Sequence, residues 1–259
     1  MDPAFRELAR VIESGAAMLF TGAGFSCDAR AVDGSGLPDS KSMIAELWPI
    51  VFGDGEPDDS SLADLYDVAL ARVPDLLHAY VAQRLRIGPA PLPGHYARWF
   101  SAPWRRIYTL NVDDLELVVA QQFPLPRPLR SVSAIAKDAP PSEDGALDVV
   151  HLNGMAGTPA ELTFSTMQYA ARLCGRDREY ERLVADLERA PFVFAGTTLD
   201  EVVLWQHLEL RRRLNGDAGD RPASFLISPS LSRARQVLLE TLGIRWVQAT
   251  VAEVATKVL

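Results

Sequence analysis

The sequence predicts an α/β protein: a three-layer, Rossmann-like, mostly parallel sheet with helices on both faces and a helical insertion. Three observations carry this. Short apolar runs, among them 17–20, 106–110, 192–195 and 225–227, alternate with segments of helical periodicity along the 259 residues. Those runs are apolar at successive positions rather than at every second one, which suits strands buried on both faces of a parallel sheet. Glycines and small polar residues follow the runs directly, at the carboxyl ends where open sheets of this kind place ligands.

Taken in order, residues 4–14 repeat apolar side chains at helical spacing (Phe5, Leu8, Ala9, Ile12) and Gly15 stops the helix. Residues 17–20 are the first strand. Gly22, Gly24 and Ser26 form a turn, and 28–39 is loop. Residues 41–52, 59–72, 74–85 and 94–101 read as helices, a helical insertion at about 40–101 within one domain spanning 1–259. The acidic run 53–59 between the first two is a solvated loop, since its spacing fits no calcium site. His78 is structural. Arg106–Leu110 is the second strand, with a helix from near Asp114. Residues 122–146 carry Pro124, Pro126, Pro128, Pro140 and Pro141 and read as a long surface loop or lid. Leu147–Val150 is a strand ended by His151. Leu162–Phe164 starts like a strand, and helices follow through Tyr169 and Leu183. Strands at 192–195, 225–227 and 244–247 alternate with helices at 200–214 and 231–242, and a short helix closes the chain.

Bulk properties exclude several classes. With 48% hydrophobic and 23% charged residues and a mean hydropathy of +0.01, the chain is globular. A net charge of −8 argues against direct nucleic-acid binding, whose phosphates call for Lys and Arg. Arg211-Arg212-Arg213 reads as a solvated helix face. Cys27 and Cys174 make neither a disulfide framework nor a four-cysteine zinc site. No signal peptide and no membrane span of roughly 18 apolar residues is evident, so the expected location is the cytoplasm, away from the membrane.

Four stretches concentrate the chemistry: Thr21-Gly22-Ala23-Gly24-Phe25-Ser26 with Gly36-Leu37-Pro38-Asp39 after it, Thr109-Leu110-Asn111-Val112-Asp113, His151-Leu152-Asn153-Gly154, and Gly196-Thr197-Thr198-Leu199. A glycine turn lets main-chain N–H groups approach a pyrophosphate. Asn111 and Asp113 either cap the next helix or face the crevice. His151 ends a strand and has a pKa suited to proton transfer. The turn does not read as a dehydrogenase fingerprint, because Cys27 stands where the third glycine belongs and no acidic residue ends the second strand.

Together these stretches resemble the sirtuin family, and more closely its bacterial zinc-free branch of antiphage-defence NAD hydrolase domains. The likeness runs from about Met18 to the C-terminus. It departs from the zinc-bearing deacylases at Ser40 and Lys41 in place of Phe and Arg, at Leu110 in place of Gln, in two residues inserted between His151 and its glycine, and at Ser228 in place of Asn. It also lacks their cysteine pairs. The resemblance implies an NAD+ hydrolase that splits the nicotinamide–ribose bond to nicotinamide and ADP-ribose, as a defence effector that depletes NAD. NAD is then a substrate, and no metal takes part. Asn111 orients water or the ribose; His151 contacts ribose hydroxyls and is the base. Gly22, Ala23, Gly24, Ser26, Asp39, Asp113, Gly196, Thr197, Thr198 and Ser228 hold NAD. Such an enzyme needs a regulator, supplied by a partner protein, a fused domain or homo-oligomerisation. Two other readings stand beside it: a zinc-independent NAD-dependent protein deacylase, and a non-catalytic module sensing NAD or ADP-ribose.

Overall fold

The structure, a computed structural model, describes residues 3–137, 144–175, 177–199, 205 and 222–259. All its strands lie in one parallel seven-stranded sheet. In chain order they are β1 (Met18–Thr21), β2 (Arg106–Thr109), β3 (Leu129–Ser133), β4 (Leu147–His151), β5 (Phe192–Ala195), β6 (Ser224–Ser228) and β7 (Ile244–Gln248). Their order across the sheet is β3-β4-β2-β1-β5-β6-β7. β1 is central because all four of its side chains are buried. The chain leaves β1 towards β2 and leaves β5 towards β6, so the connections part between β1 and β5.

Alternation along the strands builds the two outer layers. Leu19, Ile107, Val193 and Phe225 face a core closed by α1 (Pro3–Glu13), α5 (His95–Ser101), α6 (Leu115–Gln122) and the last helix, Val251–Lys257. Trp99 and Trp104 stack at its centre, both fully buried. Met18, Phe20, Tyr108, Phe192 and Phe194 face the other way, onto Tyr180 and Leu183 of α8 (Arg178–Arg189) and onto Leu239 of the helix Arg233–Thr241. The sheet is therefore covered on both faces, as the apolar runs require.

The helices α2 (Ser40–Phe52), α3 (Leu62–Arg72) and α4 (Pro74–Arg84) share a third, smaller core of Met43, Leu47, Leu65, Tyr66, Leu77 and Val81. It rests on Val112, Ala156 and Leu162, residues of the loops that leave β2 and β4. Arg84 ties this cluster to the loop before it, bonding Glu46 at 2.7 Å, Asp33 at 3.2 Å and the Gly36 carbonyl at 3.3 Å.

Two sequence expectations are corrected. The stretch 122–146 is not all loop, since residues 129–133 form the edge strand β3. Its pattern hid it: an edge strand with one solvated side needs no apolar run, and only Val132 is buried. Leu162–Phe164 is no strand; a 3₁₀ turn (Pro159–Glu161) leads into it, and Leu162 packs on the helical cluster instead. Ser165 then starts α7 (Thr166–Cys174) with a reciprocal capping box to Gln168. The helix expected at 200–214, with Arg211-Arg212-Arg213, lies outside the described residues apart from Trp205, and so do Pro140 and Pro141.

At Gly196, φ is +70° and a Cβ would fall on the main chain at Phe25. Gly196→Ala is expected to cost about 3 kcal/mol or more, from positive-φ strain together with overlap. Gly243→Ala, at φ +74° with open space around it, should cost only about 1–2 kcal/mol. Urea unfolding of the two variants checks the difference; equal losses would mean that the turns are not in forced contact.

Candidate active site

The turn after β1 and the turn after β5 touch. Gly24 N–H donates to the Gly196 carbonyl at 2.8 Å, and a Cβ on Gly22 would stand 2.8 Å from that of Thr197. The glycines are thus needed for the approach of one turn to the other. The N–H groups of Gly22, Phe25 and Ser26 are likewise engaged, by the carbonyls of Ala195, Gly22 and Ala23. Among the described residues only the N–H of Ala23 is left without a partner in this turn. This narrows the expected cradle of main-chain donors to one.

Asn111 leaves β2 with its own N–H held by Thr109 Oγ1 at 3.0 Å. Its side-chain Nδ2 donates to the Gly22 carbonyl and to Ser26 Oγ, both at 3.0 Å. A carbonyl only accepts, so the amide orientation is fixed and Oδ1 is turned elsewhere. Asp113 precedes the N-cap of α6, which is Asp114, and faces the crevice: its Oδ1 accepts from Leu115 N at 3.2 Å, and its side chain lines the cavity. Burial pushes its carboxyl up to about 6, with the Ser26 hydroxyl opposing and the Glu116 charge adding to the rise. Asp114 turns away, accepting from Ile87 N at 2.7 Å and pairing with Arg86.

His151 lies beneath this turn, 1% exposed. Its Nδ1 is 3.0 Å from the Asn111 carbonyl, and its Nε2 is 3.0 Å from Glu116 Oε1. Glu116 is 2% exposed and also accepts from Ser131 Oγ. Burial opposes ionisation of both partners, but their mutual attraction and hydrogen bonds prevail: the Glu116 carboxyl is held below its usual range and the His151 imidazole above its own. The expectation of His151 as a base on ribose hydroxyls meets a side chain with both nitrogens engaged, which lines a cavity of only about 20 Å³ shared with Ser26, Asn111 and Asp113 and not the cavities of about 340 and 710 Å³ beside it.

Two cavities meet at Ala23. The first, about 340 Å³, has Asn111, Asp113, Ser26 and Asn153 at its polar end and Leu37, Met43 and Phe164 among its apolar walls. Asn153 is fixed by Leu110 O at 3.1 Å and by the Tyr169 hydroxyl at 2.7 Å. The second, about 710 Å³, runs past Gly24, Gly196, Thr197, Thr198 and Ser228. The structure thus brings together eleven of the twelve expected site residues, His151 from below. Asp39 stays out: it is exposed and caps α2 through Ser42 N at 2.8 Å, while Pro38 and Ser40 on either side line the first cavity. Glu116, Ser131 and Tyr169 were not anticipated, and Asn153 stood in the His151 stretch without a role of its own. Among the described residues no group of three or more His, Cys, Asp or Glu is placed to hold a metal, and no helix is long and apolar enough to cross a membrane.

An all-parallel α/β sheet with polar turns gathered where its connections diverge defines a Rossmann-like ligand-binding protein. Residues 105–247, more than half of the chain, match the family described as SIR2-like domain. The chain belongs to that family, within the sirtuin superfamily, and so has an NAD-related function. No curated protein matches it.

Removing one member of the buried pair leaves the other charge unpaired, so His151→Ala is expected to cost about 3–5 kcal/mol. A Glu116→Gln/His151→Gln double variant should lose less. The pair's contribution is bounded on both sides. That of Glu116 is present above 4.5 and is lost as pH falls through its lowered folded value. That of His151 is complete below 6.5 and is lost as pH rises through its raised folded value. Urea unfolding across pH should show the wild type's advantage over the double variant widest between 4.5 and 6.5. A pH-independent difference would mean that the pair is not ionic.

Proposed function

We propose that this chain, with residues 1–259 acting as one unit, is an NAD+ hydrolase that splits the nicotinamide–ribose bond and releases nicotinamide and ADP-ribose. The observation that supports it is the two-part trough. A dinucleotide has two halves of different size, and here two cavities, of about 340 and 710 Å³, adjoin at Ala23, the main-chain donor of the turn left without a partner among the described residues. In this reading the adenosine half lies along Gly196, Thr197, Thr198 and Ser228. The pyrophosphate crosses Ala23 and Gly24. The cationic nicotinamide enters the first cavity, where apolar walls suit the ring and Asp113 offsets its charge.

The chemistry then follows from charge. The C1′–N bond breaks and its electron pair stays with nicotinamide, which becomes neutral, so no acid is required. The cation left at C1′ is met by water, held by Asn111 Oδ1. Asp113 takes the proton of that water. With a carboxyl near 6 it is ionised at neutral pH yet basic enough to serve. Asp113 is the acidic side chain in the cavity wall, which is why the base is assigned here rather than to His151. The role as a cytoplasmic defence effector, silent until a partner chain, a fused domain or self-assembly releases it, belongs to the same proposal and is supported by the resemblance alone.

The test is NAD consumption by the purified chain, with chromatography of the products. Nicotinamide and ADP-ribose should appear without any acyl peptide. Asn111→Ala should slow release by at least about 100-fold. The rate should rise with pH through about 6, as Asp113 loses its proton, and Asp113→Asn should be slow at every pH. Turnover only with an acyl peptide would give a deacylase instead. Saturable NAD binding with no nicotinamide released would give a sensor.

A further inference from the structure

The buried pair under the site has a definite protonation geometry. Nδ1 of His151 faces a main-chain carbonyl, that of Asn111, and Nε2 faces a carboxylate oxygen, that of Glu116. The carbonyl accepts and never donates, so Nδ1 carries a hydrogen. The carboxylate oxygen already receives the Ser131 hydroxyl, and as an anion it takes a second hydrogen from Nε2. Both nitrogens then donate, and the ring is an imidazolium. The charged groups around it are Glu116 of α6 and Asp113 of the turn before α6, both acidic. Ser131 arrives from β3 and Asn111 from the end of β2. The same Asn111 sends its side chain the other way, to Gly22 and Ser26.

We propose that Glu116 is a positioning residue. Steadied by Ser131, it fixes His151 as an imidazolium whose Nδ1–H carries the Asn111 carbonyl, and so sets the aim of the Asn111 side chain at the reacting centre. As a statement about catalysis this rests on the hydrolase reading above. As a statement about charge and geometry it stands without it. A neutral ring with its hydrogen on Nε2 would present a lone pair to the Asn111 carbonyl and push that turn away. Burial alone favours a neutral ring, so the carboxylate is what holds the proton there. Outer partners that orient metal-ligating histidines typically matter by about 10–100-fold in activity, and a partner that orients His151 acts in the same way.

The experiment is nitrogen NMR of the full chain labelled at histidine and asparagine, with His151→Gln used to assign the His151 signals among the four histidines. In the wild type both ring nitrogens should read as protonated, unchanged while pH passes through 6.5, the ordinary histidine value. In Glu116→Gln, His151 should lose a proton at neutral pH and the Asn111 amide signals should move. The kcat for NAD should fall about 10–100-fold with KM little changed, and Glu116→Asp should restore part of it. An unprotonated His151 nitrogen in the wild type at neutral pH would overturn the proposal, whether or not the variants fold. Unmoved Asn111 signals, or a wild-type kcat, in Glu116→Gln would overturn it too. If the chain releases no nicotinamide at all, the hydrolase reading falls while the spectra still decide the charge on His151.

Discussion

The contact between the turns after β1 and β5 is the constraint on which the site depends. It carries the β1–β5 pairing past the strand ends, through Gly22 N–H to the Ala195 carbonyl and Gly24 N–H to the Gly196 carbonyl, at the point where the connections diverge. It demands glycine on both sides of the contact, since a Cβ at Gly22 or at Gly196 would overlap the opposite turn. It also divides the space above the strand ends into two cavities with Ala23 between them. The Gly22 carbonyl, held in place by this contact, is what Asn111 bonds. A polar side chain from the next strand is therefore aimed by main-chain geometry, which is stiffer than any pairing of side chains.

Electrostatics then separates two carboxyls that are close in sequence. Asp113 and Glu116 are both buried, and burial alone would raise both. Asp113 has a hydroxyl and a main-chain donor, so its carboxyl settles near 6. Glu116 has an imidazolium and stays ionised. Unlike surroundings that push two like groups apart are a common device for giving each its own task. Here one remains free to exchange a proton with the cavity, while the other serves as a fixed charge beneath it.

The central strands were legible because each is a short run of buried apolar residues, and the polar motifs because each follows such a run directly. β3 was not, since an edge strand with Arg130 and Ser131 carries no such run. Asp39 shows that a motif fixes sequence position and not orientation: a carboxylate that suits a ligand also suits a helix cap, and here it caps α2. Glu116 was missed for a different reason. In a short helix a glutamate beside leucines reads as the solvent side, yet Glu116 is 2% exposed and Leu117 is 40% exposed. That inversion is the signal: local pattern is broken where a buried charge has a partner elsewhere in the fold. The partner, His151, is thirty-five residues away in sequence, and nothing in the spacing announces it.

The small helical core rests on Val112, which sits between Asn111 and Asp113. All three line the first cavity, and Val112 also packs into the helical core. Cavity wall and helical cluster therefore share packed residues. By linkage, any ligand that favours one arrangement of that wall protects α2–α4 against local opening by the same free energy, and anything that grips those helices alters the affinity of the cavity in return. Met43 of α2 and Leu62 of α3 stand in that wall as well, so the helices a ligand would steady are part of the surface it touches.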